Sequence, residues 1–247
     1  MIAVSAKDPV LSRDEIHIWS ASLEFGSEDM VHLQATLAAD ERDRASRFRF
    51  LKDQRQFIAA RGLLRHILSL YIHREPASFQ FCCSACGKPE LRSESSGGMQ
   101  DLCFNYSDSH SFAVFAFARN RKVGIDVEFI QPHIAEDLIA ERFFTRNEAC
   151  TLRAVPARLR AKAFFSCWTR KEAYIKARGD GFRISLDSFE VFPDPGGPVV
   201  ITDNDGSKWS LQSFVPARGY AAALAVEGQG SHTRFHCIEK SSRGSGA

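Results

Sequence analysis

Residues 161–178 contain no Gly or Pro and read as one uninterrupted helix. Trp168, Glu172 and Lys176 stand at i, i+4 and i+8, so they share one face, and Phe164 and Phe165 extend that row one turn earlier. A carboxylate and an ammonium in line with an aromatic row point towards protein rather than water. Charges so placed require partners or a bound ion. This helix is therefore where chemistry is to be sought, and the rest of the chain must supply what it packs against.

The other decisive segment is Val123-Gly-Ile-Asp-Val-Glu-Phe129, which alternates strictly. As a strand it turns Val123, Ile125, Val127 and Phe129 to one side and Gly124, Asp126 and Glu128 to the other, with the two carboxylates about 6.5–7 Å apart. Two readings stand: the wet face of an antiparallel strand, or two oxygen ligands of a hard cation such as Mg²⁺. In the second, Glu172 is the natural third carboxylate.

Around these segments the pattern alternates between helix and strand. Strands are expected at 16–20, 79–83, 188–192, 198–202, 208–214 and 219–226, and 112–118 with 123–129 read as a β-hairpin. Helices are expected at 27–39, 53–72, 135–153 and 161–178, with Pro76 and Pro156 as breakers. Thr145 to Glu148 fits a capping box, which makes Glu148 a capping residue on its own evidence. Each half thus holds a long amphipathic helix and ends in a small-apolar strand. The Gly/Ser-rich stretch 228–247 reads as a flexible tail.

Composition narrows the function classes. With 32 basic and 30 acidic residues the net charge is +2, which argues against nucleic acid as a partner. The charge is concentrated locally, since eight cations lie between Arg42 and Arg65. They fit either a small polyanion such as a nucleotide phosphate or a solvated helix face. Cys83-Ser-Ala-Cys86 has CxxC spacing, but the other cysteines are scattered, so the zinc reading is weaker than that of small strand residues. The first residues lack a basic segment followed by an apolar one, and the longest apolar run, 112–118, is too short to span a bilayer. A cytoplasmic protein with no membrane partner is expected. The run Phe104-Asn-Tyr-Ser-Asp-Ser-His-Ser111 reads as a polar turn that either closes on itself or cradles a phosphate.

In chain order these segments resemble the 4′-phosphopantetheinyl transferases of the two-lobed, Sfp-type class. The resemblance covers about residues 10 to 226. It rests on Arg42-x-Arg44-Ala-x-Arg47-Phe48, Gly87-Lys88-Pro89, Phe104-Asn-Tyr-Ser107, Gly124-Ile-Asp-Val-Glu128, Arg142-Phe-Phe-Thr145 with Glu148, and Trp168-Thr-Arg-Lys-Glu-Ala-Tyr-Ile-Lys176. It implies an α+β fold of two similar lobes in pseudo-twofold arrangement, each a small antiparallel sheet with a long helix. The lobes would be 1–120, on the coenzyme A nucleotide side and docking the carrier protein, and 121–227, holding the Mg²⁺ site. It also implies a monomer that moves the 4′-phosphopantetheine group of coenzyme A onto a serine of an apo acyl or peptidyl carrier protein, releasing adenosine 3′,5′-bisphosphate.

The resemblance further implies roles. Asp126, Glu128 and Glu172 would hold Mg²⁺ on the diphosphate, Lys176 would neutralise that diphosphate, and Lys171 would lie close by. Arg44 and Arg47 would meet the 3′-phosphate, Lys88 the adenine side and Ser107 the phosphates. Glu148 or a water would take the serine proton. Members commonly carry Ser-His-Ser after Asn-x; here Asp108 stands at the His position, and His110 follows two residues later. Either His110 reaches the 3′-phosphate or the arginines hold it alone. Two other classes remain: an inactive coenzyme A or carrier-binding module, and a zinc-dependent nucleic-acid binder.

Overall fold

The computed structural model describes residues 3–4, 8–83, 89–92, 101–131, 136–179, 184–192, 199–203 and 205–239. The first lobe runs β1 (Ala3–Val4), β2 (Glu15–Ser22), α1 (Ser27–Ala35), α2 (Ala39–Ser46), α3 (Leu51–Ile72), β3 (Phe81–Cys83), β4 (Pro89–Leu91), β5 (Leu102–Ser109) and β6 (Phe112–Arg119). The second runs β7 (Val123–Phe129), α4 (Glu136–Phe143), α5 (Arg146–Ala154), α6 (Ala157–Arg178), β8 (Val199–Thr202), β9 (Lys208–Phe214) and β10 (Tyr220–Glu227), and the chain then adds β11 (His232–Glu239). Two principal sheets form, in the orders β1-β11-β2-β6-β5 and β7-β10-β9-β8, beside a small β3-β4 pair.

The two sheets pack face to face and each long helix covers an outer face. Along β6, Ala113, Phe115 and Phe117 join Leu63, Leu64, Ile67 and Leu68 of α3. Val114, Ala116 and Ala118 turn instead to Val123, Ile125 and Val127 of β7 and to Ala222, Leu224 and Val226 of β10. Residues 221, 223 and 225 of β10 meet α6. Covered on both faces, β6 and β10 are apolar at nearly every position, as a doubly buried strand must be. α3 and α6 are each 22 residues long and end on a left-handed residue, His73 at φ 53° and Gly179 at φ 75°.

Three expectations are corrected here. The segments 112–118 and 123–129 are not a hairpin: β6 pairs with β2 and β5, while β7 pairs with β10. Both strands carry an apolar row, and the rows bury each other by stacking, so the turn between them passes the chain from one sheet to the next. Residues 188–192 form no strand; a 3-10 turn spans Leu186–Ser188. Residues 232–239, expected in a loose tail, form β11, which runs parallel to β2 and pairs with it from Glu15 to Ala21. It also reaches the second lobe, where Phe235 packs edge-on against Phe214 with centroids 5.3 Å apart.

At the β2–β11 seam lies a buried polar cluster. The Tyr71 hydroxyl accepts the Trp19 indole N–H and shares a hydrogen bond with Nδ1 of His17, both at 2.8 Å. His17 is 1% exposed, and its Nε2 is 3.7 Å from Glu15 Oε2. Burial, helped by His236 and Arg234 and opposed by Glu15, lowers its pKa to about 4. A histidine held below its unfolded value binds fewer protons folded than unfolded. Its contribution is complete above pH ~6.5 and is lost as the pH falls towards 4, on the order of 3 kcal/mol in all. Urea midpoints measured across that window are expected to fall with pH, and His17→Gln to flatten the slope.

Gly124 sets how closely α6 approaches β7. A Cβ there would lie 2.1 Å from the carbonyl oxygen of Ala173 and 2.3 Å from the amide nitrogen of Ala177. Both are helix backbone, so no side chain can swing aside. Gly124→Ala is expected to push α6 off the sheet and cost about 1–3 kcal/mol, read as a lower urea midpoint. Activity should fall with it, because this approach brings Glu172 and Lys176 over β7.

Candidate active site

The facing edges of the two sheets, β5 and β7, are joined by side chains. Asn105 Oδ1 accepts the Ile125 N–H at 2.9 Å. Ser107 Oγ donates to Asp126 Oδ1 at 2.9 Å. Ser109 Oγ donates to Glu128 Oε2 at 2.9 Å and accepts the Phe129 N–H at 3.2 Å. Alternate residues of β5 thus hold the length of β7 from Ile125 to Phe129, through both its backbone and its carboxylates. The polar run 104–111 is therefore mostly strand, with its turn at His110, φ 52°. The roles of Asn105 and Ser109 were missed in the sequence. The visible signal was a period of two in 105, 107 and 109 matching the period of two in 124, 126 and 128.

Asp126 lies at the centre, 3% exposed. Its Oδ1 accepts from Lys176 Nζ at 2.7 Å as well as from Ser107. Its Oδ2 is buried and has no hydrogen-bond partner. Burial, and then the charge of Asp126, raise the carboxyl pKa values of both Glu128 and Glu172; Lys176 opposes this in both cases. For Lys176 itself burial works against the charge, yet Asp126, Glu172 and Glu128 together hold its pKa above the usual lysine value. Three carboxylates therefore share one ammonium, and one of their oxygens is buried unpaired. Such a pocket, rich in oxygen donors, suits a hard divalent cation. Among the described residues, no three of His, Cys, Asp or Glu close around one point as a finished ligand set.

Glu148 and Lys171 are elsewhere. Both side chains are fully buried and form an ion pair at 2.8 Å. Glu148 also accepts the N–H groups of Val191 at 2.7 Å and Thr145 at 3.0 Å. Lys171 donates to the carbonyls of Leu186 at 2.7 Å and Phe189 at 2.6 Å. The first lobe repeats this arrangement. Glu41 near the start of α2 pairs with Arg65 at 2.6 Å and accepts the Ala38 N–H at 2.9 Å, while Arg65 donates to the carbonyls of Pro76 and Phe79, both at 2.9 Å. In each lobe a capping glutamate and a helix cation tie down the segment after the helix. The structure thus places Glu148, expected as a base, and Lys171, expected beside the diphosphate, together in a pair sealed from solvent. Adjacent positions on a helix point about 100° apart, so Lys171 faces inward while Glu172 faces Asp126.

The basic stretch divides in the same way. Arg61 and Arg65 are buried against Glu41, Arg42 donates to the Leu37 carbonyl and Arg55 to that of Phe25. Arg44 and Arg47 are exposed, and Arg44 lies over the Phe57 ring at 5.1 Å. His110 is exposed with its ring centroid 4.7 Å from that of Phe129, and its carbonyl accepts from Gln56 Nε2. Asp108 is exposed, and the charges that act on its carboxyl are those of Lys176 and Asp126. Lys88 and Cys86 lie outside the described residues. Cys82, Cys103, Cys150, Cys167 and Cys237 are thiols, not disulfides.

A two-lobed α+β chain with an acidic strand facing a Glu/Lys helix defines a class. The 4′-phosphopantetheinyl transferase superfamily matches residues 122–225, and the N-terminal region of 4′-phosphopantetheinyl transferases matches 19–120, so the two matches meet at the turn between β6 and β7. The chain is 39% identical over 227 residues to the 4′-phosphopantetheinyl transferase HetI of Nostoc sp., covering 91% of this chain and 93% of that protein. It is 36% identical over 206 residues to a 4′-phosphopantetheinyl transferase of Bacillus pumilus, covering 79% and 84%. It is 27% identical over 203 residues to the 4′-phosphopantetheinyl transferase Sfp of Bacillus subtilis, covering 82% and 87%. The chain belongs to the 4′-phosphopantetheinyl transferase family and is an enzyme of that class. Among the described residues no helix is long and apolar enough to cross a membrane.

Proposed function

We propose that the enzyme takes its phosphopantetheine from coenzyme A and places it on the serine hydroxyl of an apo carrier protein of peptide or polyketide assembly. The observation that carries this reading is the buried, unpartnered Oδ2 of Asp126 within a cluster of three carboxylates and one lysine. Asp126, Glu128 and Glu172 would hold Mg²⁺, which when bound supplies positive charge against the coenzyme A diphosphate. Lys176 adds a second positive charge where the leaving bisphosphate accumulates negative charge. Glu172, half-buried beside Asp126, is the group of this chain placed to receive the serine proton, directly or through a water. The carrier oxygen then bonds to the β-phosphorus, and the bond to adenosine 3′,5′-bisphosphate breaks. Arg44, Arg47, Lys88 and His110 are proposed for the nucleotide end.

Both lobes contribute to this cluster, Ser107 from β5 and Asp126 from β7. A single copy therefore suffices, and we read the enzyme as a monomer. Its thiols fit a reducing cytoplasm. The test is intact mass of several apo carrier proteins after incubation with enzyme and coenzyme A, with Mg²⁺ and with chelator. A phosphopantetheine mass gain on a carrier serine, lost with chelator, is expected. No gain on any carrier, or equal gain in chelator, defeats the reading.

A further inference from the structure

Lys171 and Lys176, five residues apart on α6, are held in opposite ways. Lys171 is fully buried and fixed by a carboxylate and two carbonyls. Lys176 reaches its partners from the half-exposed rim: its side chain is 30% exposed, and Nζ is 2.7 Å from Asp126 Oδ1 and 2.9 Å from Ser107 Oγ. Ser107 donates to the same Oδ1, so it can keep that carboxylate aimed without the lysine. Oδ2 of Asp126 remains buried without a partner. The three carboxylates do not close around one point, and the ammonium takes one of the oxygens they would need to do so.

We propose that Lys176 is an exchangeable counter-ion: it neutralises Asp126 until a divalent cation arrives, then leaves that carboxylate and turns to the diphosphate. The proposal rests on reading Asp126, Glu128 and Glu172 as a divalent-cation site. Its consequence is that cation and coenzyme A load together. The cation can meet Oδ2 but gains the full charge of Asp126 only if Lys176 releases Oδ1, and the diphosphate offers the released ammonium a new partner. A lysine serves here because its flexible stem carries a compact charge that can move between anions.

The experiment measures Mn²⁺ binding to the coenzyme A-free enzyme by electron paramagnetic resonance, in wild type, Lys176→Met, Lys176→Arg and Asp126→Asn. Lys176→Met is expected to bind Mn²⁺ more tightly than wild type, on the order of tenfold or more, since a competing charge is removed from a low-dielectric pocket. Lys176→Arg should stay as weak as wild type. Mn²⁺ should also raise the unfolding temperature of Lys176→Met, which shows that the variant is folded. In ¹⁵N-lysine-labelled wild type, the side-chain ammonium signal missing from Lys176→Arg should shift on saturation with Mg²⁺. Equal Mn²⁺ affinity in wild type and Lys176→Met, or an ammonium signal unmoved at saturation, overturns the exchange. If Asp126→Asn still abolishes binding in that case, the cation site survives without it. If no variant binds Mn²⁺ even with coenzyme A present, the cation site itself fails and takes the exchange with it.

Discussion

Asp126→Asn is expected to slow phosphopantetheine transfer by roughly a hundred- to a thousandfold, the range for losing one well-placed electrostatic group at a reacting centre. The substitution keeps the shape and one accepting oxygen, turns the other oxygen into a donating amide, and removes the central charge. Ser107 and Lys176 can still donate to the remaining carbonyl oxygen, so the β5–β7 seam holds. What is lost is the negative charge that, with Glu128 and Glu172, makes the pocket a place for a cation. The same charge helps to raise the pKa of both glutamates, so their carboxyls should titrate at lower pH in the variant. The rate loss should appear in kcat at saturating coenzyme A, with the circular dichroism spectrum unchanged. A near-normal rate at high Mg²⁺ would move the reacting centre away from Asp126.

Lys171→Met should instead unfold the protein rather than stop its chemistry. Glu148 would be left fully buried without its cation, and breaking one partner of a buried pair costs about 3–5 kcal/mol. Two carbonyls, those of Leu186 and Phe189, would lose their donor as well. The double variant Glu148→Gln with Lys171→Met removes both charges and should recover much of the loss. Urea unfolding measures this, and kcat per folded molecule should stay close to wild type. A thousandfold loss of kcat in a stable Lys171→Met protein would return this lysine to the reaction. Arg65→Met tests the twin arrangement in the first lobe and should behave alike.

The contrast between these two lysines shows what the sequence could convey. The α6 face carrying Trp168, Glu172 and Lys176, and the alternation that sets Asp126 and Glu128 together, are local periodicities, and both are present as expected. The degree of burial was not local. The 168/172/176 row lies on the half-exposed rim, while Cys167, Arg170, Lys171 and Tyr174 form the fully buried side. A helical row of mixed charge and aromatics does not reveal which side meets the second layer when both sides are covered. Glu148 illustrates the same limit. Its capping role was legible from Thr145 three residues before it, but its partner is 23 positions away on another helix. The β6–β7 connection misled for a related reason, since two apolar rows can bury each other by pairing or by stacking, and only the strands on either side decide. The partner of β11 is more than 200 residues away, and nothing in its own residues names it.

That last strand bears on how the protein is made. A ribosome releases β2 and its pairing partner β6 long before residue 232 is synthesised. Through the whole production of the second lobe, β2 waits with a bare edge, the kind of surface that invites pairing with another nascent chain. The first lobe can gather α3 against its sheet early but cannot finish that sheet until residues 232–239 have emerged. Completion of the first-made half is thus timed by a strand made after the second lobe. A stalled or shortened product lacking 232–239 would present an open strand to whatever chaperone or protease meets it first.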